Sequence, residues 1–279
     1  MKRIKSFNNS HPVLYLIATP IGNLKEFSNR AIETIKEMDY IACEDTRNSK
    51  DLLGKFNISQ HFLSLREHNE KEASVKVIED IKAGKKVAYM SDAGYPGISD
   101  PGSLLVETAI ENNVAISVIS GSSAFINALV SSALPTDHFY FHGFLSPKIS
   151  EAKKELELLK NKKETLVFYE APHRIDQTLK VLLEVLGDRK ASLQRELTKL
   201  NEEKIYGLLS EFVSLDSATL KGEIVIVVAG NSEETSYTDE EIMKKVRYFM
   251  DRGMDKKNAI EVTSELFDIK KNHIKDIIK

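Results

Sequence analysis

The chain has a single cysteine, Cys43, in 279 residues. That excludes an internal disulfide and matches a reducing compartment. Between Ala42 and Glu44, at the end of the apolar run Tyr40-Ile41-Ala42-Cys43, it reads as a small core residue. Long apolar stretches are missing as well. The longest unbroken ones are Val13–Ala18 and Ile224–Ala229, six residues each, against the ~20 that a membrane-spanning helix needs. The basic start, Met1-Lys2-Arg3-Ile4-Lys5-Ser6, leads into no apolar segment of signal-peptide length, so a cytoplasmic protein that does not enter a membrane is expected. Strong charge of either sign is lacking: the net charge is −3, too little to draw the whole molecule to nucleic acid or anionic lipid. Neither a Walker lysine motif nor a G-x-G-x-x-G fingerprint occurs, which tells against NTPase and dinucleotide readings. No Cys/His cluster has metal-ligand spacing, so no metal is expected.

What the chain does have is an unusual loop, Ser91-Asp92-Ala93-Gly94-Tyr95-Pro96-Gly97-Ile98-Ser99-Asp100-Pro101-Gly102. It follows the apolar run Val87–Met90 and precedes a helical pattern at Leu104, Leu105, Val106, Ala109 and Ile110. Its prolines remove backbone donors and its glycines permit close backbone approach, so it cannot be the interior of an element. By itself it could be an elaborate turn. Two more loops of the same kind tell against that. Val13–Ala18 runs into Thr19-Pro20-Ile21-Gly22-Asn23-Leu24, and Ala115–Ile119 runs into Ser120-Gly121-Ser122-Ser123-Ala124. In α/β sheets the ligand crevice lies beyond the carboxyl ends of the strands, where three such loops would converge. A cofactor site is the expectation.

Apolar content of 42% and charged content of 29% are ordinary for a folded chain, and the length suits two modest domains with an appendage. Ser28 reads as the N-cap of a helix with Ala31, Ile32, Ile35 and Met38 on one face. Tyr40–Cys43 reads as a strand ending in Glu44-Asp45-Thr46-Arg47, and Phe62–Leu65 as one ending near His68. A helix with Ala73, Val77, Ile78 and Ile81 inward stops at Gly84. Strand, loop and helix thus alternate through about the first 120 residues, implying a mostly parallel sheet. A second α/β unit carries strands at Phe139–Phe141, Thr165–Tyr169, Ala191–Leu193 and Ile224–Ala229, the last apolar enough for burial on both faces. The helix at 175–186, with Leu179, Leu182, Leu183 and Leu186, is core. The expected domains are 13–121, 122–234 and a helical tail at 237–279. Polar linker composition over 231–236 precedes three short helical patterns, parted by Gly253 and by the Phe267-Asp268 junction. About forty residues is small for an independent core, so this tail is expected to dock on the body or on RNA. Residues 241–279 carry ten Lys/Arg against seven Asp/Glu, a net +3, which leaves −6 for residues 1–240.

These loops, in this order, resemble the tetrapyrrole-methylase superfamily, and within it the ribosomal RNA small subunit methyltransferase I family. The residues carrying the likeness are Thr19–Leu24, Glu44–Arg47, His68-Asn69-Glu70, Ser91–Gly102, Leu134-Pro135, Phe144-Leu145-Ser146-Pro147-Lys148, Phe168–Arg174 and Glu196-Leu197-Thr198-Lys199. The sequence departs from the family pattern at Ser120-Gly121-Ser122, where Pro-Gly-Pro is more usual, at Tyr95, where Thr is, at Asn201, where His is expected after the Glu-Leu-Thr-Lys run, and at Lys153 and Lys154, which stand in place of arginines.

The resemblance implies two α/β domains with S-adenosylmethionine (SAM) in the cleft between them, usually in a homodimer. It implies methyl transfer to the ribose 2′-oxygen of a cytidine in 16S rRNA, with the rRNA or the 30S subunit as partner. For SAM it points to Pro20, Ala93, Gly94, Tyr95, Ile98, Ser123 and Ala124, and by main-chain contact to Glu170 and Leu197. For the hydroxyl proton it points to Glu44 or Asp45, then His68, although His68 also reads as a loop histidine bonded to Glu67 or Glu70. For RNA phosphates it points to Arg47, Lys148, His173, Arg174, Arg195 and Lys199. Tyr169 or Phe144 is then available to stack a base. A tetrapyrrole methyltransferase and a non-catalytic RNA-binding assembly factor are the alternatives.

Overall fold

The structure is a computed structural model that describes residues 1–5, 12–216, 220–232, 237–267 and 269–278. Positions 233–236 of the expected linker and Asp268 of the expected junction lie outside the described residues. The chain divides into two compact units, Met1–Asn231 and Ser232–Lys279.

The first unit begins with β1 (Val13–Ile17), α1 (Asn29–Lys36), β2 (Tyr40–Cys43), α2 (Thr46–Gly54), β3 (Phe62–Ser64), α3 (Glu70–Lys82), β4 (Val87–Met90), α4 (Ser103–Glu111) and β5 (Ala115–Ile119). The five strands form one fully parallel sheet in the order β3-β2-β4-β1-β5. Alternation along the strands sorts their side chains to two faces. Leu14, Leu16, Val87 and Tyr89 meet α3 and α4, whereas Ile17, Ile41, Ala88 and Met90 meet α1 and α2. Cys43 is fully buried in the second of these layers. Ser28 caps α1 through a side-chain bond from the Ala31 amide, and Asp45 caps α2 from the Arg47 amide.

The unit continues through α5 (Ala124–Val130), β6 (Phe139–Phe144), α6 (Ile149–Leu159), β7 (Thr165–Glu170), α7 (Ile175–Leu186), β8 (Lys190–Arg195), β9 (Glu203–Leu208), α8 (Leu209–Val213) and β10 (Ile224–Val228). The second sheet has the order β6-β7-β10-β8-β9. β6 and β7 are parallel, while β10 runs antiparallel to both β7 and β8, and β8 to β9. β10 is the central strand and all five of its residues are buried, as its unbroken apolar run requires. One face of the sheet packs under α6, α7 and α8. The other, through Val167, Val225 and Val227, packs against α5, Leu197 and Ile21. Ile21 follows β1, so the loop after β1 reaches the second sheet. β9 and α8 have no counterpart in the sequence reading, because Glu203-Lys204-Ile205-Tyr206-Gly207-Leu208 is an edge strand with four of its six residues exposed.

The second unit holds α9 (Asp239–Met250), α10 (Lys256–Phe267) and α11 (Lys271–Ile277). Here the structure differs from the expectation that so short a segment lacks a core. Ile242, Val246, Ala259, Ile260 and Ile274 form a buried cluster of their own, and Phe249, Met254, Ile269, Ile277 and Ile278 pack around it. Tyr237 and Phe267 stack at 3.7 Å between ring centroids, which adds large apolar area to a small core.

Candidate active site

The loops singled out in the sequence follow β4, β1 and β5, three adjacent strands, at their carboxyl ends. Reciprocal backbone bonds tie the first two loops together, Thr19 N to Gly94 O at 2.9 Å and Gly94 N to Thr19 O at 3.1 Å. The Thr19 hydroxyl also donates to Ser91 O. The Tyr95 hydroxyl accepts a bond from the Gly121 amide at 3.2 Å, joining the third loop to the second. Tyr95 and the Ser120-Gly121-Ser122 segment are the departures from the family pattern that fall in the cofactor loops, and here they bond to each other. Glu70 closes the far end of the long loop by accepting from the amides of Gly102 and Leu104, at 2.8 and 3.0 Å. Asn69 ties its own turn to Ser64 O. The His68-Asn69-Glu70 stretch therefore braces the long loop through Glu70, while Asn69 holds the turn after β3.

Beside these loops is a cavity of about 590 Å³, well inside the ~300–1,000 Å³ typical of ligand sites. Ala93, Gly94, Tyr95, Ile98, Ser99, Asp100, Ser123 and Ala124 form one wall. Phe144, Tyr169, Glu170, Ala171, Pro172, Glu196, Lys199 and the start of β10 form the other. Three non-glycine residues of this lining or its immediate support have positive φ: Ser99 at 62°, Glu196 at 51° and Thr198 at 69°. Such backbone costs about 1–3 kcal/mol per residue and concentrates at functional sites.

Of the expected cofactor residues, Ala93, Gly94, Tyr95, Ile98, Ser123, Ala124 and Glu170 line the cavity. Pro20 and Leu197 are buried and are not part of its lining; Leu197 packs with Ile21 and Val225 directly behind the wall. The Glu170 carboxylate is itself fully buried, bonded to the Ala171 amide at 2.7 Å and to the Thr178 hydroxyl, and 3.5 Å from Arg174 Nε.

The expected proton acceptors are placed differently from one another, and none of them lines the cavity. Glu44 is partly buried at the end of β2. Burial, together with the nearby Asp92 carboxylate and against the pull of Arg66, raises its pKa. Asp45 is held well below the usual carboxylate range by hydrogen bonds from Arg47, side chain and amide, with Arg66 also near. His68 is exposed on a short helical turn at Glu67–Asn69. Asp100 was not singled out in the sequence reading, and it lines the cavity half-buried. Burial first, then the Glu44 and Asp92 carboxylates, push its pKa up to about 6. The signal available in the sequence was its place in the loop, but burial and the two facing carboxylates come from the fold.

The expected phosphate ligands are mostly engaged. Arg47 pairs with Asp45, Lys148 with Glu151, and Arg195 with Glu203. Lys199 lines the cavity and bridges Glu196 and Glu223 at 2.9 and 3.1 Å. His173 is exposed. Arg174 has turned inward, donating to Leu145 O and Ser146 O, so its role in this fold is to hold the segment after β6. Among the described residues, no group of three or more His, Cys, Asp or Glu is arranged to hold a metal ion.

A cavity walled by small loop residues, with Asp100, Glu170, Glu196 and Glu223 around it and one lysine, suits a ligand that carries both a positive centre and a carboxylate. Two α/β sheets enclosing such a site define a methyltransferase of the tetrapyrrole-methylase fold, and the chain belongs to that family: residues 13–213 match the Tetrapyrrole (Corrin/Porphyrin) Methylases. It is an S-adenosylmethionine-dependent methyltransferase. Ribosomal RNA small subunit methyltransferase I of Bacillus subtilis (strain 168) is 38% identical to it, over 99% of this chain and 98% of the relative. The protein of the same name from Halalkalibacterium halodurans is 43% identical, over 89% and 88%. Among solved structures, the methyltransferase CobJ superposes with a TM-score of 0.58 at 17% identity, over 80% of this chain and 95% of that one. Uroporphyrin-III-C-methyltransferase from Thermus thermophilus gives 0.56 at 15%, over 78% and 94%.

Proposed function

We propose that this protein transfers a methyl group from SAM to the ribose 2′-oxygen of a cytidine in 16S rRNA. The observation that carries this reading is near-full-length identity of 38–43% to relatives named ribosomal RNA small subunit methyltransferase I. The solved tetrapyrrole methyltransferases, at 15–17% identity, share the fold alone.

In this reading SAM occupies the 590 Å³ cavity and supplies a methyl group already activated by a sulfonium. The chain's own contribution is to hold that group against an incoming hydroxyl and to exclude water. Ala93, Gly94, Ser123 and Ala124 offer backbone groups at close range, Lys199 a cation for a carboxylate, and Phe144 and Tyr169 aromatic surface for a base. Phe144 is exposed and packs against Tyr169 with 5.5 Å between ring centroids, an arrangement that accepts a splayed nucleotide. The chain up to Asn231 then acts as two α/β halves joined near residues 121–122. The tail unit, with Lys256, Lys257, Lys271 and Lys275 around one groove, is a sequence-independent clamp on phosphates. A cytoplasmic homodimer acting on the 30S subunit completes the reading.

Mapping 2′-O-methyl groups on rRNA from cells with and without the protein tests it. Loss of one cytidine modification on deletion is the expected result. Methyl incorporation into a tetrapyrrole precursor, with none into 30S particles, would replace it with the small-molecule reading.

A further inference from the structure

We propose that the solvent face of α9 is a stacking platform for an unpaired nucleobase, through which the second unit selects single-stranded RNA. The choice of RNA as partner rests on the rRNA reading above. α9 turns an apolar stripe inward, with Ile242 and Val246 buried in the unit's core and Phe249 packed against it. Tyr248 lies off that stripe. It is 44% exposed and does not belong to the core cluster, so the packing of the unit does not call for a ring there. Arg252 folds back over it, with the guanidinium carbon 3.6 Å from the ring centroid. Arg252 Nη1 also donates to Tyr248 O at 3.4 Å, a carbonyl of the last turn with no partner inside the helix. Lys245, one turn earlier, holds its amine 5.2 Å from the Tyr248 centroid and 5.5 Å from that of Phe249. Both distances fall within the ~6 Å over which a ring attracts a cation.

Charge decides what this face fits. Among the described residues, neither Lys245 nor Arg252 has a carboxylate partner. Two nearby acids are engaged elsewhere, Glu241 by Thr238 and Asp255 by Asn258. An exposed ring beside two unneutralised cations complements an aromatic polyanion. The ring or the guanidinium plane stacks a base, and the cations meet the adjoining phosphates. The groove on α10 and α11 is built differently. Lys256, Lys257, Lys271 and Lys275 surround Ile260 and Glu261 there, with no aromatic side chain among the described lining residues. Cations alone grip the backbone of single and double strands alike. A ring is reached only by a base that has left its pair and its stack, which a duplex does not offer. Tyr248 thus supplies a discrimination that the groove lacks.

The test is binding by the full-length protein to two labelled probes, an oligouridylate and an RNA duplex of equal length, read as fluorescence anisotropy over a salt series. The wild-type protein should prefer the oligouridylate. Tyr248→Leu should weaken that binding about tenfold and leave duplex binding and the salt slope unchanged, whereas Tyr248→Phe should keep wild-type affinity. Ultraviolet crosslinking of the oligouridylate to wild-type protein, which depends on no variant folding, should mark a peptide that contains Tyr248. Oligouridylate binding by Tyr248→Leu at wild-type strength, an equal loss on the duplex, or crosslinks that avoid α9 would overturn the proposal. The rRNA reading survives those results if the same wild-type preparation methylates 30S subunits. Wild-type protein that binds neither probe and methylates only a tetrapyrrole precursor would sink that reading, and this proposal with it.

Discussion

Lys199 lies across Gly22. A β-carbon built on Gly22 would sit 2.5 Å from Lys199 Cγ and 2.7 Å from Cε, and Gly22 itself has φ of +144°. One residue belongs to the loop after β1 and the other to the segment after β8, so this contact joins the two sheets at the mouth of the cavity. The lysine is not free to swing aside, because Glu196 and Glu223 hold its amine. Gly22→Ala is therefore expected to displace Lys199 and to strain the loop together. SAM affinity measured by calorimetry should fall at least tenfold, while circular dichroism shows both sheets intact. Lys199→Met should give a similar loss without the backbone strain. Unchanged affinity in both would remove Lys199 from the site.

Arg174 and Glu170 form a structural couple. The Glu170 carboxylate has no exposed surface, and Arg174 is its only cationic neighbour among the described residues. The same guanidinium holds Leu145 O and Ser146 O. Removing one partner of a buried pair leaves an uncompensated charge, at a typical cost of about 3–5 kcal/mol. Arg174→Ala should lower the denaturant midpoint accordingly, and Arg174→Lys should recover little, since an ammonium cannot reproduce the planar fork. An unchanged midpoint in Arg174→Ala, with weakened RNA binding, would return Arg174 to the phosphate-binding set.

Both relationships bear on what a sequence discloses. The first sheet was legible because β1, β4 and β5 each end in a Gly-containing loop and the helices at α1 and α3 carry a one-sided apolar stripe. β10 was legible for the same reason, as five consecutive β-branched residues. β9 was not, since an exposed edge strand needs no apolar pattern. Loop composition pointed to a cofactor site, and the family resemblance named its residues, of which seven of the nine expected line the cavity. Charged residues were harder: whether an arginine meets solvent or a buried carboxylate depends on which loop lies across from it. Arg174 and Asp100 are opposite cases of that rule. The arginine, grouped with solvent-facing cations, is drawn inward by Glu170, and the aspartate, unremarked in the loop, is left without a partner in a cavity.

Asp100 should also affect stability. Its folded-state pKa, about 6, lies above the ordinary aspartate value of 3.8, so the folded protein binds the proton more tightly than the unfolded chain. The stabilisation from that proton is fully present below about pH 4 and is lost as pH rises through 6. Asp100→Asn removes the ionisation, so its melting temperature should match wild type near pH 4 and exceed it above pH 6.5. Allowing for solvent screening of a half-buried group, the difference is on the order of 1 kcal/mol, or roughly 2–4 °C. Equal melting temperatures across the range would mean that Asp100 is not destabilised by its surroundings.

The last forty residues allow the sharpest separation of binding from chemistry. Their three helices enclose a core of Ile242, Val246, Ala259, Ile260 and Ile274, so the unit does not need the body to bury its apolar face. Within it, residues 241–279 carry a net +3, opposite in sign to the −6 of residues 1–240, although Glu233, Glu234, Asp239 and Glu240 bring the whole unit to −1. Lys256, Lys257, Lys271 and Lys275 line a groove on α10 and α11, with Glu261 bonded to Lys271 as the one acid among them. Each phosphate contact releases counterions, so log affinity falls with log salt by about 0.7–0.9 per contact. Deleting residues 232–279 is expected to leave SAM affinity unchanged, weaken rRNA binding and flatten the salt dependence by several units. Replacing the four groove lysines with glutamine should give about three units of that change if the groove is the clamp. An unaltered slope in the truncated protein would make the unit a solvated cap. The phosphate contacts would then fall to His173, Lys148 and their neighbours in the first unit.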